Sequence, residues 1–157
     1  MIWLLLLALV AAALLLLGAP YVPTHQTELQ ALFDELGEGE RRVFADLGSG
    51  DGRVLKQAQA RGFEVIGFEV NPLFWLISKF RVGGGGAIRL QPWQWADLSE
   101  VDVIYIFSTS WHMRSQHIEQ LPEPATVVIY GAQPKAFAKR TSTTNGSAVI
   151  YQPVARE

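Results

Sequence analysis

Gly48, Gly50 and Gly52 stand at alternating positions inside Asp46-Leu47-Gly48-Ser49-Gly50-Asp51-Gly52-Arg53. An apolar run, Val43 to Leu47, leads into them, and residues at helical spacing, Val54 to Ala60, follow. This is the pattern of a strand entering a glycine turn that opens a helix. Glycine there turns the chain tightly and brings main-chain N–H groups against a ligand with no Cβ in the way. Asp46, at the strand's end, is placed to accept a hydrogen bond from a ligand ammonium or to hold the loop. Glu69 closes a second strand-like run, Glu64 to Glu69 (EVIGFE). An acid at that place suits the two hydroxyls of a ribose. Ser49, Asp51, Asn71 and Gln91 complete the set of candidate binding residues.

A dinucleotide site normally reads G-x-G-x-x-G, the third glycine letting helix and strand approach around a pyrophosphate. Here the spacing is G-x-G-x-G, with an acid two residues before the first glycine and Asp51 where it would repel a phosphate. A cationic amino-acid nucleoside answers these features better than a phosphate does. S-adenosylmethionine offers a ribose to Glu69 and an ammonium to Asp46, with no phosphate to cradle. A nucleotide or NAD site, or a turn that binds nothing, stays open on the residues alone. Other chemistries find less support. The chain has no cysteine, which excludes disulfides, thiolate metal sites and cysteine nucleophiles. His112 and His117 are not spaced for one helical face and His25 is distant, so no metal site is expected. Ser108 and Ser110 form no hydrolase motif with His112. The net charge of −2 gives no footprint for nucleic acid.

The 157 residues accommodate one domain. Strands are expected at Val43–Leu47, Glu64–Glu69, Ile88–Leu90, Val101–Phe107 and Thr126–Tyr130. Helices are expected from a Thr24 or Thr27 cap to about Leu36, at Val54–Ala60, from Asn71-Pro72 to Phe80, and over Trp111–Leu121. Gly83 to Gly86 reads as a flexible connection. Asn145-Gly146, between Phe137–Thr143 and Ser147–Gln152, is a type I′ hairpin signal. Alternating strands and helices predict an α/β fold with a mostly parallel sheet. Ending it with an antiparallel hairpin gives the Rossmann-like, seven-strand class I methyltransferase arrangement. Trp93 and Trp95, after the third strand, pack in the core, stack on a base or sit at the membrane interface. Lys135, Lys139 and Arg140 read as a solvated strand face, and Arg53 as a first-turn residue pairing locally.

The N-terminus is of another kind. Ile2 to Leu17 is an unbroken apolar run, and no charged side chain appears before Glu28. At 1.5 Å per residue it spans roughly 25 Å, slightly short of a hydrocarbon core of roughly 30 Å. Residues 1–19 are therefore expected to be a single transmembrane anchor and residues 20–157 the folded domain. A cleaved signal peptide is the rival reading, but a positive n-region and a small-x-small site are lacking. S-adenosylmethionine is made in the cytoplasm. That expectation puts the domain on the cytoplasmic side of a bacterial inner membrane, or on the matrix side in an organelle.

Three stretches in order carry a family resemblance: the apolar segment with PYVPT, then DLGSGDGRV at Asp46 to Val54, then GFEVNPLFW at Gly67 to Trp75. The chain resembles the membrane-anchored protein lysine methyltransferases that act on the adenine nucleotide translocase and the ATP synthase c-subunit, with their prokaryotic relatives. The match runs from Pro20 to about Tyr130. Glu69, Asn71 and Pro72 fall in register with the family's G-[YF]-E-x-N-P pattern. The resemblance implies transfer of a methyl group from S-adenosylmethionine to a lysine of a membrane-associated protein. Small-molecule or lipid methylation, or a scaffold with a decayed cofactor site, are the alternatives. The chain departs from the family twice. Leu90-Gln91-Pro92-Trp93 replaces an acidic Asp-Leu-Trp stretch, with Gln91 standing in for the carboxylate. Phe107-Ser108-Thr109-Ser110-Trp111 stands where the family places a proline, in the region facing the methyl acceptor.

Overall fold

The computed structural model describes residues 24–108, 121–131, 133 and 142–153, together with Ile2, Trp3 and Leu5. In chain order the elements are α1 (Gln26–Leu36), β1 (Val43–Leu47), α2 (Arg53–Ala60), β2 (Glu64–Glu69), α3 (Pro72–Val82), β3 (Gly86–Leu90), β4 (Val103–Ser108), β5 (Thr126–Gly131), β6 (Ser142–Asn145) and β7 (Ala148–Tyr151). Seven strands form one sheet in the order β3-β2-β1-β4-β5-β7-β6. The first five are parallel; β7 runs antiparallel to both β5 and β6. The strand order reverses between β1 and β4, which is where an open α/β sheet leaves a crevice at its carboxyl ends.

Strand periodicity divides the core. Phe44, Val103 and Tyr105 face α1, α2 and α3 with Leu29, Phe33 and Leu55; Ala45, Leu47, Ile104 and Ile106 face the other side with Leu98 and Leu121. Continuous apolar strands such as VIYIFS and TVVIYG are what burial on both faces requires.

Several expectations shift. The α1 N-cap is His25, without a side-chain cap bond, because the Thr24 hydroxyl is spent on buried Tyr105 (2.9 Å). The glycine connection is ordered as a 3-10 turn at Gly83–Gly85, and β3 begins at Gly86, opposite Val65. Asn145 is the last paired residue of β6, opposite Ala148, so the two-residue turn is Gly146-Ser147. Only Gly146 has positive φ there (57°), the II′ rather than the I′ signature. The Asn145 amide is instead occupied by Ala31 O (3.0 Å) and Glu35 (2.9 Å) of α1. The expected helix at Trp111–Leu121 (all but Leu121), most of the strand from Phe137, and the histidine pair and basic cluster lie outside the described residues. So does the expected anchor, residues 1–19, except for Ile2, Trp3 and Leu5, which are helical and exposed. Among the described residues no helix is long and apolar enough to cross a membrane.

Candidate functional site

The turn between β1 and α2 lies at the carboxyl edge of the sheet, beside the end of β2. Gly52 caps α2 with φ 77°; a Cβ there would overlap the Ser78 hydroxyl of α3 and approach the Ser78 Cα to 2.9 Å. Gly48 has φ 100°, and a Cβ built on it meets nothing within 4 Å. One glycine is thus demanded by packing as well as by backbone angle, and the other faces open space.

Three carboxylates gather at this turn, each in a different condition. Glu69, buried at the end of β2, accepts the Gly50 amide on Oε2 (2.8 Å) and the amides of Val70 (2.9 Å) and Asn71 (2.7 Å) on Oε1. It ties the glycine turn to the start of α3, and its Oε2, with one donor, keeps a lone pair for a hydroxyl. Asp51 is clamped by Arg53 (3.0 Å) and by Arg81 of α3, whose guanidinium also donates to the Asp51 carbonyl (2.8 Å). Asp46 is 2 % exposed, and among the described residues nothing donates a hydrogen bond to it. Burial above all, then the neighbouring Glu69 and Asp51, holds its carboxyl well above the ordinary carboxylate range. A buried acid between two others, without a donor, is a place made for a cation.

The amides expected to line a ligand are bonded within the chain. Gly48 and Ser49 both donate to Phe68 O (2.9 Å each), Gly52 donates to Ser49 O (2.9 Å), and Gly50 is held by Glu69. A phosphate cradle needs such N–H groups free, so this turn is poorly made for a pyrophosphate.

The structure therefore brings together Asp46, Gly48, Ser49, Gly50, Asp51, Gly52, Glu69 and Asn71. Asn71 is the N-cap of α3, its Oδ1 accepting from Leu73 (2.9 Å) and Phe74 (3.3 Å). Ser49 is buried with its hydroxyl unpartnered, packed against Gly67. The Asp51 carboxylate serves the arginine clamp, so its part is to fix the turn. Gln91 follows the last residue of β3, which pairs with Glu69, and is half-buried at the same edge. Ser108, at the carboxyl end of β4, is buried with an unpartnered hydroxyl.

Sequence reasoning missed Arg81, Ser78 and Tyr105. Ser78 had a signal, being the one small side chain in PLFWLISKFRV; it is where α3 meets Gly52. Arg81 and Tyr105 act through partners on distant elements, Asp51 and Thr24, and no local pattern announces such pairs. Trp93 is half-buried against the second core cluster, whereas Trp95 is 78 % exposed.

No protein-family model matches the chain. It is similar to curated proteins named as lysine N-methyltransferases of the ATP synthase c-subunit. To that of Xenopus laevis it is 40 % identical over 74 residues, covering 46 % of this chain and 31 % of that protein. To the Homo sapiens protein of the same name it is 36 % identical over 64 residues, covering 40 % and 26 %. The matched stretch thus spans about a third or less of these relatives. Among solved structures, an RNA methyltransferase from Salinibacter ruber in complex with S-adenosyl-L-homocysteine superposes with TM-score 0.69 at 22 % identity, covering 87 % of this chain and 97 % of the other. A TehB-like SAM-dependent methyltransferase from Corynebacterium glutamicum gives 0.59 at 15 %, covering 97 % and 96 %. The fold is the Rossmann-like class I methyltransferase fold.

Proposed function

We propose that the chain is an S-adenosylmethionine-dependent methyltransferase acting on a lysine of a membrane-associated protein. The observation that carries the cofactor is Asp46, a buried carboxylate without a donor among the described residues, at the open side of a glycine turn whose Gly48, Ser49, Gly50 and Gly52 amides are occupied. A ligand ammonium supplies the missing donor and charge. Glu69 Oε2 takes a ribose hydroxyl, and Gln91 at the end of β3 meets the base. Asp51, Arg53 and Arg81 hold the turn against α3. Ser49 and Asn71 hold its two shoulders.

Bound there, S-adenosylmethionine supplies an electrophilic methyl on a sulfonium that leaves as a neutral thioether. The protein's part is to position the acceptor in line and to exclude water. A lysine acceptor must first lose a proton to solvent, which desolvation of its ammonium promotes. No catalytic base is nominated among the described residues.

Two things support a lysine of a membrane protein as the acceptor: the names of the curated relatives and the apolar run Ile2 to Leu17. A single-pass tether raises the effective concentration of the domain at bilayer-embedded targets. The cytoplasmic or matrix side follows from cofactor supply. Ser108, unpartnered where the resembled family has a proline, favours a second reading in which the acceptor is a small molecule or lipid.

Calorimetry of the full chain with S-adenosylmethionine, followed by incubation of membranes with methyl-labelled cofactor, separates these. Binding with label in protein lysine is expected. Label in lipid would move the acceptor to the second reading. Binding without transfer to any fraction would leave a scaffold, and absence of binding would remove the proposal.

A further inference from the structure

The outer face of α3 is apolar and, among the described residues, uncovered. Val70, Leu73, Leu76, Ile77 and Phe80 are all exposed, Phe80 by 80 %. From Leu73 they recur at the spacing of one helical stripe, and the stripe points away from the side on which Ser78 and Val82 are buried. A soluble helix carries its polar residues on that outer face, so the amphipathic pattern is inverted here. At 100° per residue, Lys79 and Arg81 fall on the two flanks of the stripe.

The charge pattern indicates what covers it. Between Glu69 and Asp97 there is no carboxylate, but there are Lys79, Arg81 and Arg89, leaving the rest of the chain at −5 against an overall −2. Arg81 is committed to Asp51, Arg89 stands in register with Phe68 and so lies on the face of β3 away from α3, and Lys79 lies beside the stripe over the Trp75 ring (4.9 Å). An apolar stripe with a lysine at its flank, in a stretch with three cations and no carboxylate, matches the headgroup boundary of an anionic bilayer, with the lysine methylenes alongside the acyl region and its charge among phosphates.

We infer that the outer face of α3 lies in the interface of an anionic bilayer, as a membrane contact separate from the N-terminal apolar run. The stripe begins at Val70, beside Glu69, so the open side of the glycine turn is carried to the membrane surface. This inference shares membrane association with the proposed function but does not depend on methyl transfer.

The chain has no cysteine, so single cysteines label uniquely. The full chain would carry Ile77→Cys or Phe80→Cys, or Lys56→Cys on the exposed side of α2 as reference, each with an environment-sensitive fluorophore. Each is reconstituted with vesicles of phosphatidylcholine alone or with about a quarter phosphatidylglycerol. Flotation reports whether the chain is on the membrane at all; quenching by spin-labelled lipid reports whether α3 is. The expected result is quenching at Ile77 and Phe80 about threefold or more above that at Lys56 in the anionic vesicles. It should fall toward the reference value in Lys79→Glu and at high salt. Chains that float with equal, weak quenching at all three positions would overturn the inference and leave the tether standing. Labels shielded from a water-borne quencher yet unreached by the lipid one would also overturn it, because protein would then cover the stripe. Chains that do not float would remove the membrane reading altogether.

Discussion

The glycine turn and the C-terminal hairpin use the same device, a carboxylate bonded to the residues of a loop, with opposite consequences. At the hairpin, Glu35 of α1 holds Thr143 (2.7 Å) and Asn145 (2.9 Å), and Glu28 holds Ser147 (3.2 Å) and the Tyr130 hydroxyl. Three of these four bonds are exposed, so water competes for them and each contributes little. At the turn, Glu69 is buried, and its bonds to three amides are part-buried or, at Asn71, fully buried, so water competes less for them. Asp46 beside it is buried with no donor among the described residues. The hairpin's acids complete a fold. The turn holds one acid more than its fold uses, and that surplus marks the site.

The largest effect is expected at Asp46. Asp46→Asn keeps the shape and removes the charge, so S-adenosylmethionine should bind at least about 100-fold more weakly by calorimetry. The same change should raise Tm without ligand, since it relieves a buried, unpaired carboxylate. The pH dependence follows. Asp46 has a raised pKa in the folded state, so from the ordinary carboxylate range upward the folded chain holds a proton that the unfolded chain has lost. Stability therefore falls as pH rises toward the folded value and levels off above it. The Tm advantage of Asp46→Asn should grow over that window. Cofactor affinity of the wild type should rise over it. A mutant less stable than wild type at every pH would mean that the acid holds the loop after all.

Next come the glycines. Gly52→Ala should cost about 2–4 kcal/mol in denaturant unfolding, from positive φ together with overlap on Ser78. Gly48→Ala meets no neighbour, so about 1–2 kcal/mol from its angle alone is expected, with cofactor binding reduced out of proportion. Equal stability losses, with binding spared at Gly48, would make the open space beside it irrelevant. Glu69→Gln puts an amide nitrogen against one of the three main-chain donors. It should lower stability by about 1–3 kcal/mol and weaken binding as well.

The strands at this site were legible because burial on both faces writes continuous apolar runs. Val43–Leu47, Glu64–Glu69 and Thr126–Tyr130 fall within a residue of β1, β2 and β5. Glycine spacing marked the turn, and Glu69 was legible because it ends a strand. The state of each acid was not. Sequence made Asp51 a repeller of phosphate, but the Arg81 that clamps it stands on another helix 30 residues away. It offered the turn's amides to a ligand, although Phe68 O takes two of them by a contact between neighbouring strands. Asn145-Gly146 announced the hairpin, but its register slipped by one because α1, over 100 residues earlier, holds the asparagine amide. Local pattern fixes elements; which polar group is left without a partner emerges only when the elements meet.

The smallest effect tests the other half of the comparison. Glu35→Ala removes two hydrogen bonds to the hairpin at once, and a tally of contacts would rank it above Asp46→Asn, which removes none. Both bonds are exposed, and water replaces the lost carboxylate at each. The expected Tm change is within about 2 °C, with cofactor affinity unchanged, because β6 is an edge strand of the sheet, remote from the β1–α2 turn. A loss of several degrees would show that the hairpin depends on α1 as strongly as the turn depends on Glu69. Burial would then not be what separates the two regions.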